Sequence, residues 1–198
     1  MKHNNKKFGF TMAEMMVALA VMSVIATMLI PAIMQVRPDK PKTLFKKAYY
    51  ISERIVSELI NDEDLYPTVD DKEGFDNTDQ VAIGGKTYKG NSKFCELFAN
   101  KVNTVESEAD CTTGALSFTT SDGISWYMPI SNFNTEQQIT VDINGPKDNG
   151  GKGPDCTYNA TTCPAPDKFE IFVDPDGKMR VKGTLEKEYL RTNQTIKK

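Results

Sequence analysis

The chain has 198 residues, of which 39% are hydrophobic and 26% are charged, and its formal net charge at pH 7 is −3. This composition is typical of a globular protein and excludes a wholly disordered chain and a polytopic membrane protein. Without Lys2, Lys6 and Lys7, the chain keeps 21 basic against 27 acidic residues, a net charge of −6. A net-acidic body excludes nucleic acid as the main partner, because phosphate binding needs clustered lysine and arginine.

The N-terminal segment divides into a basic leader, residues 1–9, and a long apolar run. The leader contains three lysines and no acid, and the twenty residues from Met15 to Met34 contain no charged side chain. At about 1.5 Å per residue these positions span roughly 30 Å as a helix, the thickness of the hydrocarbon core of a bilayer. We therefore predict one membrane crossing over residues 10–35, with the N-terminus in the cytoplasm by the positive-inside preference.

Three interpretations of this segment compete. A secretory signal peptide is disfavoured, because the apolar run is long and no clear small-x-small cleavage site closes it. A plain uncleaved anchor leaves Glu14 unexplained, since a carboxylate near the start of an apolar span costs about 2.5–3.5 kcal/mol on insertion scales. A cut between Gly9 and Phe10 would instead create a cationic α-amino group, which the Glu14 carboxylate of a neighbouring subunit could bind.

The leader and the residues after it resemble the class III signal sequence of type IV pilins and type II secretion pseudopilins. In that pattern a short basic leader ends in glycine and is followed by Phe, Thr, an apolar residue, one further residue and Glu; Met12 stands where leucine is commoner. The resemblance implies cleavage after Gly9 by a prepilin peptidase, N-methylation of Phe10, and Glu14 as the registration residue of a helical filament. Pro31 falls where many of these pilins carry a helix-kinking proline, which neighbouring helices make tolerable.

Beyond the apolar run, the sequence predicts an α+β, pilin-like fold: a long, half-transmembrane N-terminal helix packed on a small antiparallel sheet, with a loop-rich C-terminal region. Residues 36–62 form the extracytoplasmic part of the helix, with a bend at the prolines of residues 37–41. Residues 63–198 form the globular head, in which residues 69–90 are predicted as an irregular loop and Ser92 as the N-cap of a short helix. The predicted strands cover residues 115–120, 123–130, 138–143, 168–173 and 178–182.

All four cysteines follow the apolar run, which suits an oxidising compartment and two disulfides. Four cysteines allow three pairings, and we favour the two sequential ones, Cys95 with Cys111 and Cys156 with Cys163. Free thiols or a zinc site are the alternatives. The zinc site is disfavoured because the sequence has no Cys-x-x-Cys and its only histidine, His3, lies in the leader.

No enzyme activity is expected from this sequence. His3 would be removed with the leader, a cysteine nucleophile would lack its base, and no spacing selects a pair of carboxylates. No cofactor or metal is expected, with calcium as an open alternative, since some major pseudopilins bind it in the corresponding region. Hard oxygen ligands occur there, although turn formation explains the same residues. These residues are Asp142, Asn144, Asp148, Asp167, Asp174 and Asp176.

The predicted function is that of a structural subunit, a pseudopilin or minor pilin, of a type II secretion or type IV pilus filament, assembled from the bacterial inner membrane after leader cleavage. Its expected partners are other pilin or pseudopilin subunits, the prepilin peptidase and the inner membrane, with the C-terminal domain periplasmic or extracellular. The alternative is a monomeric, membrane-anchored extracytoplasmic binding domain. Glu14 distinguishes the two, because a lone anchor gains nothing from an unpaired acid in lipid.

Overall fold

The computed structural model describes residues 11–35, 39–68, 74–105, 108–131, 133–147, 150–151 and 153–191, and only the backbone of residues 28–35. The chain divides into two compact units, Met1–Lys40 and Pro41–Lys198, called the N-terminal and C-terminal units below. The fold is α+β, with an N-terminal helix and a small antiparallel sheet, as predicted from the sequence.

Most of the described part of the N-terminal unit forms the helix α1 (Met12–Gln35), which continues through Pro31. Every large apolar side chain from Met12 to Ile25 is more than half exposed. None of the helices in the described part of the chain combines the length and hydrophobicity that a bilayer crossing requires. The transmembrane assignment of residues 10–35 therefore stays a prediction.

The second helix, α2 (Lys40–Ile60), is amphipathic and belongs to the C-terminal unit apart from its first residue. Its Pro41 lies in the first turn, where a missing N–H costs no helical hydrogen bond. The predicted bend falls between α1, which ends at Gln35, and α2, which begins at Lys40; because residues 36–38 lie outside the described residues, the bend stays a prediction. One face of α2 enters the core through Phe45, Ala48, Ser52, Ile55, Val56 and Leu59.

The main sheet has five antiparallel strands in sequence order, from β3 to β7. Its two longest strands lie side by side, and alternate residues of β6 are fully buried, as expected for a strand with one face on the core. The rings of Phe45 on α2 and Phe169 on β6 lie 4.7 Å apart, which places the sheet against this helix. The strands are β3 (Phe118–Thr119), β4 (Ser125–Tyr127), β5 (Gln137–Asp142), β6 (Lys168–Val173) and β7 (Met179–Arg180).

The structure corrects the prediction that residues 69–90 are an irregular loop. A short hairpin, β1 (Val81–Ile83) and β2 (Lys86–Tyr88), lies within that range. The two residues between the strands, Gly84 and Gly85, have φ angles of 58° and 83°. Two consecutive residues with positive φ are what a two-residue hairpin turn requires, and glycine supplies them without steric cost.

Two further helices differ from the prediction. Ser92 precedes α3 (Lys93–Lys101), but its side chain makes no capping hydrogen bond, because a 3-10 turn over Gly90–Ser92 already gives it a helical backbone. Its hydroxyl donates to Glu96 Oε1 instead, at 2.9 Å. The last helix, α4 (Thr184–Arg191), was not predicted, since eight residues give a weak periodic signal.

Candidate functional site

The start of α1 is closed by reciprocal hydrogen bonds between Thr11 and Glu14. The Thr11 N–H and hydroxyl donate to Glu14 Oε2 at 2.8 and 3.0 Å, and the Glu14 N–H donates to Thr11 Oγ1 at 3.3 Å. This arrangement is a capping box, in which two residues three apart satisfy each other's free backbone donors. It fixes the start of the helix at Met12, and it leaves Glu14 Oε1 outside these hydrogen bonds.

Beyond this capping box, the described side chains of α1, residues 15–27, are apolar except for two hydroxyl groups. Its two described hydroxyl side chains satisfy their donors within the helix, since Ser23 donates to the carbonyl of Ala20 and Thr27 to that of Val24, each at 2.8 Å. A helix that is apolar all round is typical of a protein interior or a membrane. This surface therefore suits burial among other helices or lipid.

In the C-terminal unit, three carboxylates converge where β5 ends and β6 begins. Ligand oxygens of Asp142, Asp155 and Asp167 all lie within 4.8 Å of one another, and we call these residues the acidic cluster. Asp142 is the last residue of β5 and Asp167 directly precedes β6, so the antiparallel pairing of these strands brings the two side chains together. Carboxylates this close repel one another, so a proton or a cation stabilises the arrangement.

Asp142 is the most buried member of the cluster. Its side chain is 0% exposed, and its Oδ2 accepts no hydrogen bond from the described residues. Lys168 Nζ lies 3.9 Å from this oxygen, beyond hydrogen-bond distance. Burial raises the pKa of Asp142, and the charges of Asp167 and Asp155 raise it further, against the lowering effects of the Asn144 N–H and Lys168. Lys168 thus compensates the charge of this oxygen in part, but a buried carboxylate oxygen without a hydrogen-bond donor is costly and favours a bound cation or proton.

The surroundings of the cluster add ligand-type oxygens. Asn144 Oδ1 and Asp155 Oδ1 are also buried and accept no hydrogen bond from the described part of the chain. The backbone of Gly153 packs directly on the cluster: a Cβ there would overlap Asp167 Oδ2 and lie 2.6 Å from Asn144 Nδ2. Carboxylate and amide oxygens brought together by a loop are the donors that calcium prefers, so these residues fit a hard divalent cation.

Three of the predicted calcium ligands, Asp142, Asn144 and Asp167, meet at this place. Asp155 was missed by the sequence reasoning, because nothing in the local sequence places it near the sheet. Asp155 is held in the cluster by hydrogen bonds from the backbone to the Asp167 carboxylate. Asp167 Oδ2 accepts the Asp155 N–H at 3.1 Å, and Asp167 Oδ1 accepts the Cys156 N–H at 2.9 Å. A disulfide one residue after Asp155 is the only sequence signal that could have drawn attention to it.

Two of the other predicted calcium ligands lie outside the acidic cluster. Asp174 and Asp176 flank the turn between β6 and β7, where they form ion pairs with Arg180 at 2.7 Å and Lys178 at 2.5 Å. Neither residue belongs to the acidic cluster, and their role as ligands stays a prediction. Asp148 lies outside the described residues.

The N-terminal sequence matches the family model described as the prokaryotic N-terminal methylation motif, over residues 4–30. The chain carries the prepilin motif. This motif is that of type IV pilins and pseudopilins, and the chain is therefore type IV pilin-like. No curated protein sequence and no solved structure matches the chain significantly.

The prepilin motif covers every residue predicted for processing and assembly. Gly9 and Phe10, the predicted cleavage and methylation sites, lie outside the described residues, so their roles stay predictions. Glu14 lies at the start of α1 in the capping box, and its pairing with another subunit also stays a prediction. Pro31 lies within the uninterrupted α1, and its predicted kink is untested.

The C-terminal unit of this pilin-like chain has the two predicted disulfides. Cys95 bonds to Cys111, with Cα atoms 5.7 Å apart, and Cys156 bonds to Cys163, with Cα atoms 6.4 Å apart. The favoured sequential pairing is therefore confirmed. The first bridge joins α3 to the segment before β3, and the second closes a short loop between β5 and β6.

Proposed function

We propose that this chain is a structural subunit, a pseudopilin or minor pilin, of a type II secretion or type IV pilus filament, and not an enzyme. The observation that carries the proposal is the match to the N-terminal methylation motif over residues 4–30. Within the matched residues Gly9 directly precedes Phe10, and a cut between them would make Glu14 the fifth residue of the processed chain. These are the parts needed for leader removal and for pairing between subunits.

The proposed location is the bacterial inner membrane, with residues 10–35 in the bilayer before assembly. Support comes from the large apolar side chains of α1 between Met12 and Ile25, which are all more than half exposed, and from hydroxyl groups that bond within the helix. The lysines of the leader would keep the N-terminus cytoplasmic, and the C-terminal unit would then lie on the periplasmic side. Two disulfides in that unit suit this oxidising side.

In the filament, the α-amino group of Phe10 from one subunit would pair with Glu14 of its neighbour. The capping box uses Glu14 Oε2, so the other carboxylate oxygen can accept from this amine without breaking the helix start. A charge pair of this kind gains most in a low-dielectric core, where leaving one partner alone is strongly unfavourable. Assembly would thus relieve the cost that Glu14 has in lipid.

Mass spectrometry of the chain extracted from membranes tests the processing step. The processed chain should begin at Phe10 and carry one methyl group on its amine. Gly9→Leu should block cleavage because of its bulk, whereas Gly9→Ala serves as the matched control of small size. An intact Met1 terminus in cells with an active prepilin peptidase would contradict the proposal, and a processed chain that never cross-links to other subunits would favour the monomeric anchored domain.

A second candidate function is divalent cation binding by the acidic cluster, with calcium as the proposed ion. The supporting observation is the buried Asp142 Oδ2, which has no hydrogen-bond donor among the described residues and lies beside two more carboxylates. Asp142, Asp155 and Asp167 would hold the ion, together with the Asn144 amide oxygen. Such an ion would neutralise the cluster and stabilise the loop between β5 and β6.

Isothermal titration calorimetry of the full chain in a nonionic detergent, with calcium and then with magnesium, tests this binding. Calcium should bind with a stoichiometry near one site per chain and raise the thermal midpoint, and magnesium should bind more weakly because it demands octahedral geometry. The absence of a calcium-dependent shift in either measurement would show that Lys168 and a proton neutralise the cluster instead.

A further inference from the structure

The disulfide between Cys156 and Cys163 lies directly beside the acidic cluster. Its cysteines are seven residues apart, and the loop between them is closed a second time by backbone hydrogen bonds between Asn159 and Cys163, at 3.0 and 2.9 Å. Asp155 immediately precedes the first cysteine of this bridge. The position of one cluster carboxylate is therefore tied to a covalent cross-link.

Asp155 is also held in an unusual backbone conformation. Among the described residues, it is the only one other than glycine with a positive φ, 52°. This left-handed region is unfavourable for L-amino acids, although aspartate and asparagine tolerate it better than most. A residue stays in such a conformation only where its surroundings impose it, and such residues concentrate at ligand sites.

The surroundings that impose it are the Asp167 carboxylate and the neighbouring bridge. Asp167 accepts the backbone N–H groups of Asp155 and Cys156, at 3.1 and 2.9 Å. In return, the Cys156 carbonyl accepts the N–H groups of Asp167 and Lys168, at 3.3 and 3.1 Å. One end of the disulfide is thus fixed to the start of β6, and the bridge closes the loop that follows it.

We propose that the Cys156–Cys163 disulfide positions Asp155 for the cation site, so that the cluster binds calcium at full affinity only in the oxidised chain. This inference rests on the cation site proposed above. Without the bridge, residues 157–162 regain conformational freedom, and cation binding must then order both the loop and Asp155. By thermodynamic linkage, bound calcium stabilises the oxidised bridge by the same factor as the bridge strengthens calcium binding.

Calcium titration of the full chain in a nonionic detergent tests the first half of this linkage. Replacing both cysteines, C156S/C163S, should weaken calcium binding about tenfold or more, as loss of an outer partner of a metal ligand does. The matched control, C95S/C111S, removes the other bridge and should change calcium affinity by less than about twofold. The control should nevertheless lose more thermal stability, since its cysteines are buried and its loop is longer.

The stabilisation of the oxidised bridge by bound calcium can be tested in the wild-type chain, without a variant. The wild-type chain is equilibrated with mixtures of reduced and oxidised dithiothreitol, where each reduced bridge gives two cysteine thiols and converts one dithiol into its cyclic disulfide. Alkylation and peptide mass spectrometry then give the oxidised fraction of each bridge. Saturating calcium should shift the equilibrium of Cys156–Cys163 toward the disulfide about tenfold relative to EDTA. The equilibrium of Cys95–Cys111 should not change.

These experiments distinguish a failure of the positioning role of the disulfide from a failure of the proposed cation site. Calcium binding that is equal in the wild type and in C156S/C163S overturns the positioning role and leaves the cation site intact. A redox equilibrium of Cys156–Cys163 that is the same with calcium and with EDTA also overturns the positioning role. This measurement tests the role even if C156S/C163S fails to fold. A wild-type chain that binds no calcium overturns the cation site and the inference together.

Discussion

Glu14 Oε2 accepts two hydrogen bonds from Thr11, one from its N–H at 2.8 Å and one from its hydroxyl at 3.0 Å. Glu14 therefore has a role within a single subunit, the capping of α1, in addition to the proposed pairing with the amine of a neighbour. The two roles need different chemistry. Capping requires only a side-chain oxygen, which glutamine also has, whereas pairing with a cation requires the negative charge.

The substitution Glu14→Gln separates these roles. It should keep the capping box, normal cleavage after Gly9 and normal membrane levels, but it should yield little filament, because the neighbour's amine loses its charged partner. Glu14→Ala should also lose the cap, at about 1 kcal/mol of helix stability. Shearing and cross-linking assays measure the assembled fraction. Wild-type assembly of the Glu14→Gln variant would mean that capping, and not charge pairing, is the contribution of this residue.

A second prediction concerns the buried carboxylate of the acidic cluster. Because burial raises the pKa of Asp142, the folded state holds its proton more tightly than the unfolded state, and stability without calcium falls as the pH rises from the unfolded toward the folded pKa. Asp142→Asn removes this ionisation. At pH 7 without calcium, it should raise the free energy of unfolding by on the order of 1 kcal/mol, and added calcium should no longer stabilise the chain.

Urea unfolding of the full chain in nonionic detergent, with calcium or with EDTA, measures both effects. Asp176→Asn is the matched control, since Asp176 is an exposed acid paired with Lys178 at 2.5 Å in another turn. It should change neither the stability in EDTA nor the gain from calcium by more than about 0.5 kcal/mol. An Asp142→Asn chain that still gains the full calcium stabilisation would show that the ion binds elsewhere.

A third prediction follows from a buried lysine. Lys93 is 1% exposed, its Nζ donates to the Asn77 carbonyl at 3.1 Å, and it lies 4.3 Å from the Tyr66 ring centroid. Burial lowers the pKa of Lys93 to about 8, although the charge of Asp79 opposes this. The unfolded chain then binds more protons than the folded chain between about pH 8 and pH 10, so stability should rise with pH there.

Lys93→Met keeps the length of the side chain and removes its titration. Relative to this variant, the wild type should gain on the order of 1–3 kcal/mol in free energy of unfolding between about pH 7.5 and pH 9.5. Urea unfolding at several pH values in this window measures the difference. Parallel pH profiles for the two chains would mean that Lys93 keeps an ordinary pKa in the fold.

The last prediction tests how α2 is joined to the sheet. The Phe45 ring is fully buried and lies 4.7 Å from the Phe169 ring. Phe45→Ala should lower the free energy of unfolding by about 3–5 kcal/mol, through lost burial and the cavity left behind. Tyr50→Ala, on the same helix but 47% exposed, is the control and should cost about 1 kcal/mol or less. Equal losses in free energy of unfolding for the two variants, measured by urea unfolding, would contradict the position of Phe45 in the core of this unit.

Local patterns in the sequence determined the parts of this protein that depend on neighbouring residues. The basic leader, Gly9, Phe10 and Glu14 lie within a short stretch, so the prepilin motif could be recognised without any tertiary contact. The strands β5 and β6 were predicted within one residue, because apolar residues recur at alternate positions in each and turn residues bound both strands. The sequential disulfides were likewise predictable, since close spacing in sequence brings cysteines within bonding reach.

Only the tertiary structure decided what distant residues do together. Asp155 could not be predicted as a member of the acidic cluster, because its backbone N–H is held by the carboxylate of Asp167, which lies beyond the disulfide-closed loop. The hairpin of β1 and β2 is local and was missed for another reason, since its three-residue strands are too short for a periodic signal. Long-range pairing has no local signature, since the chain entropy lost in forming it is recovered only from contacts in the completed fold.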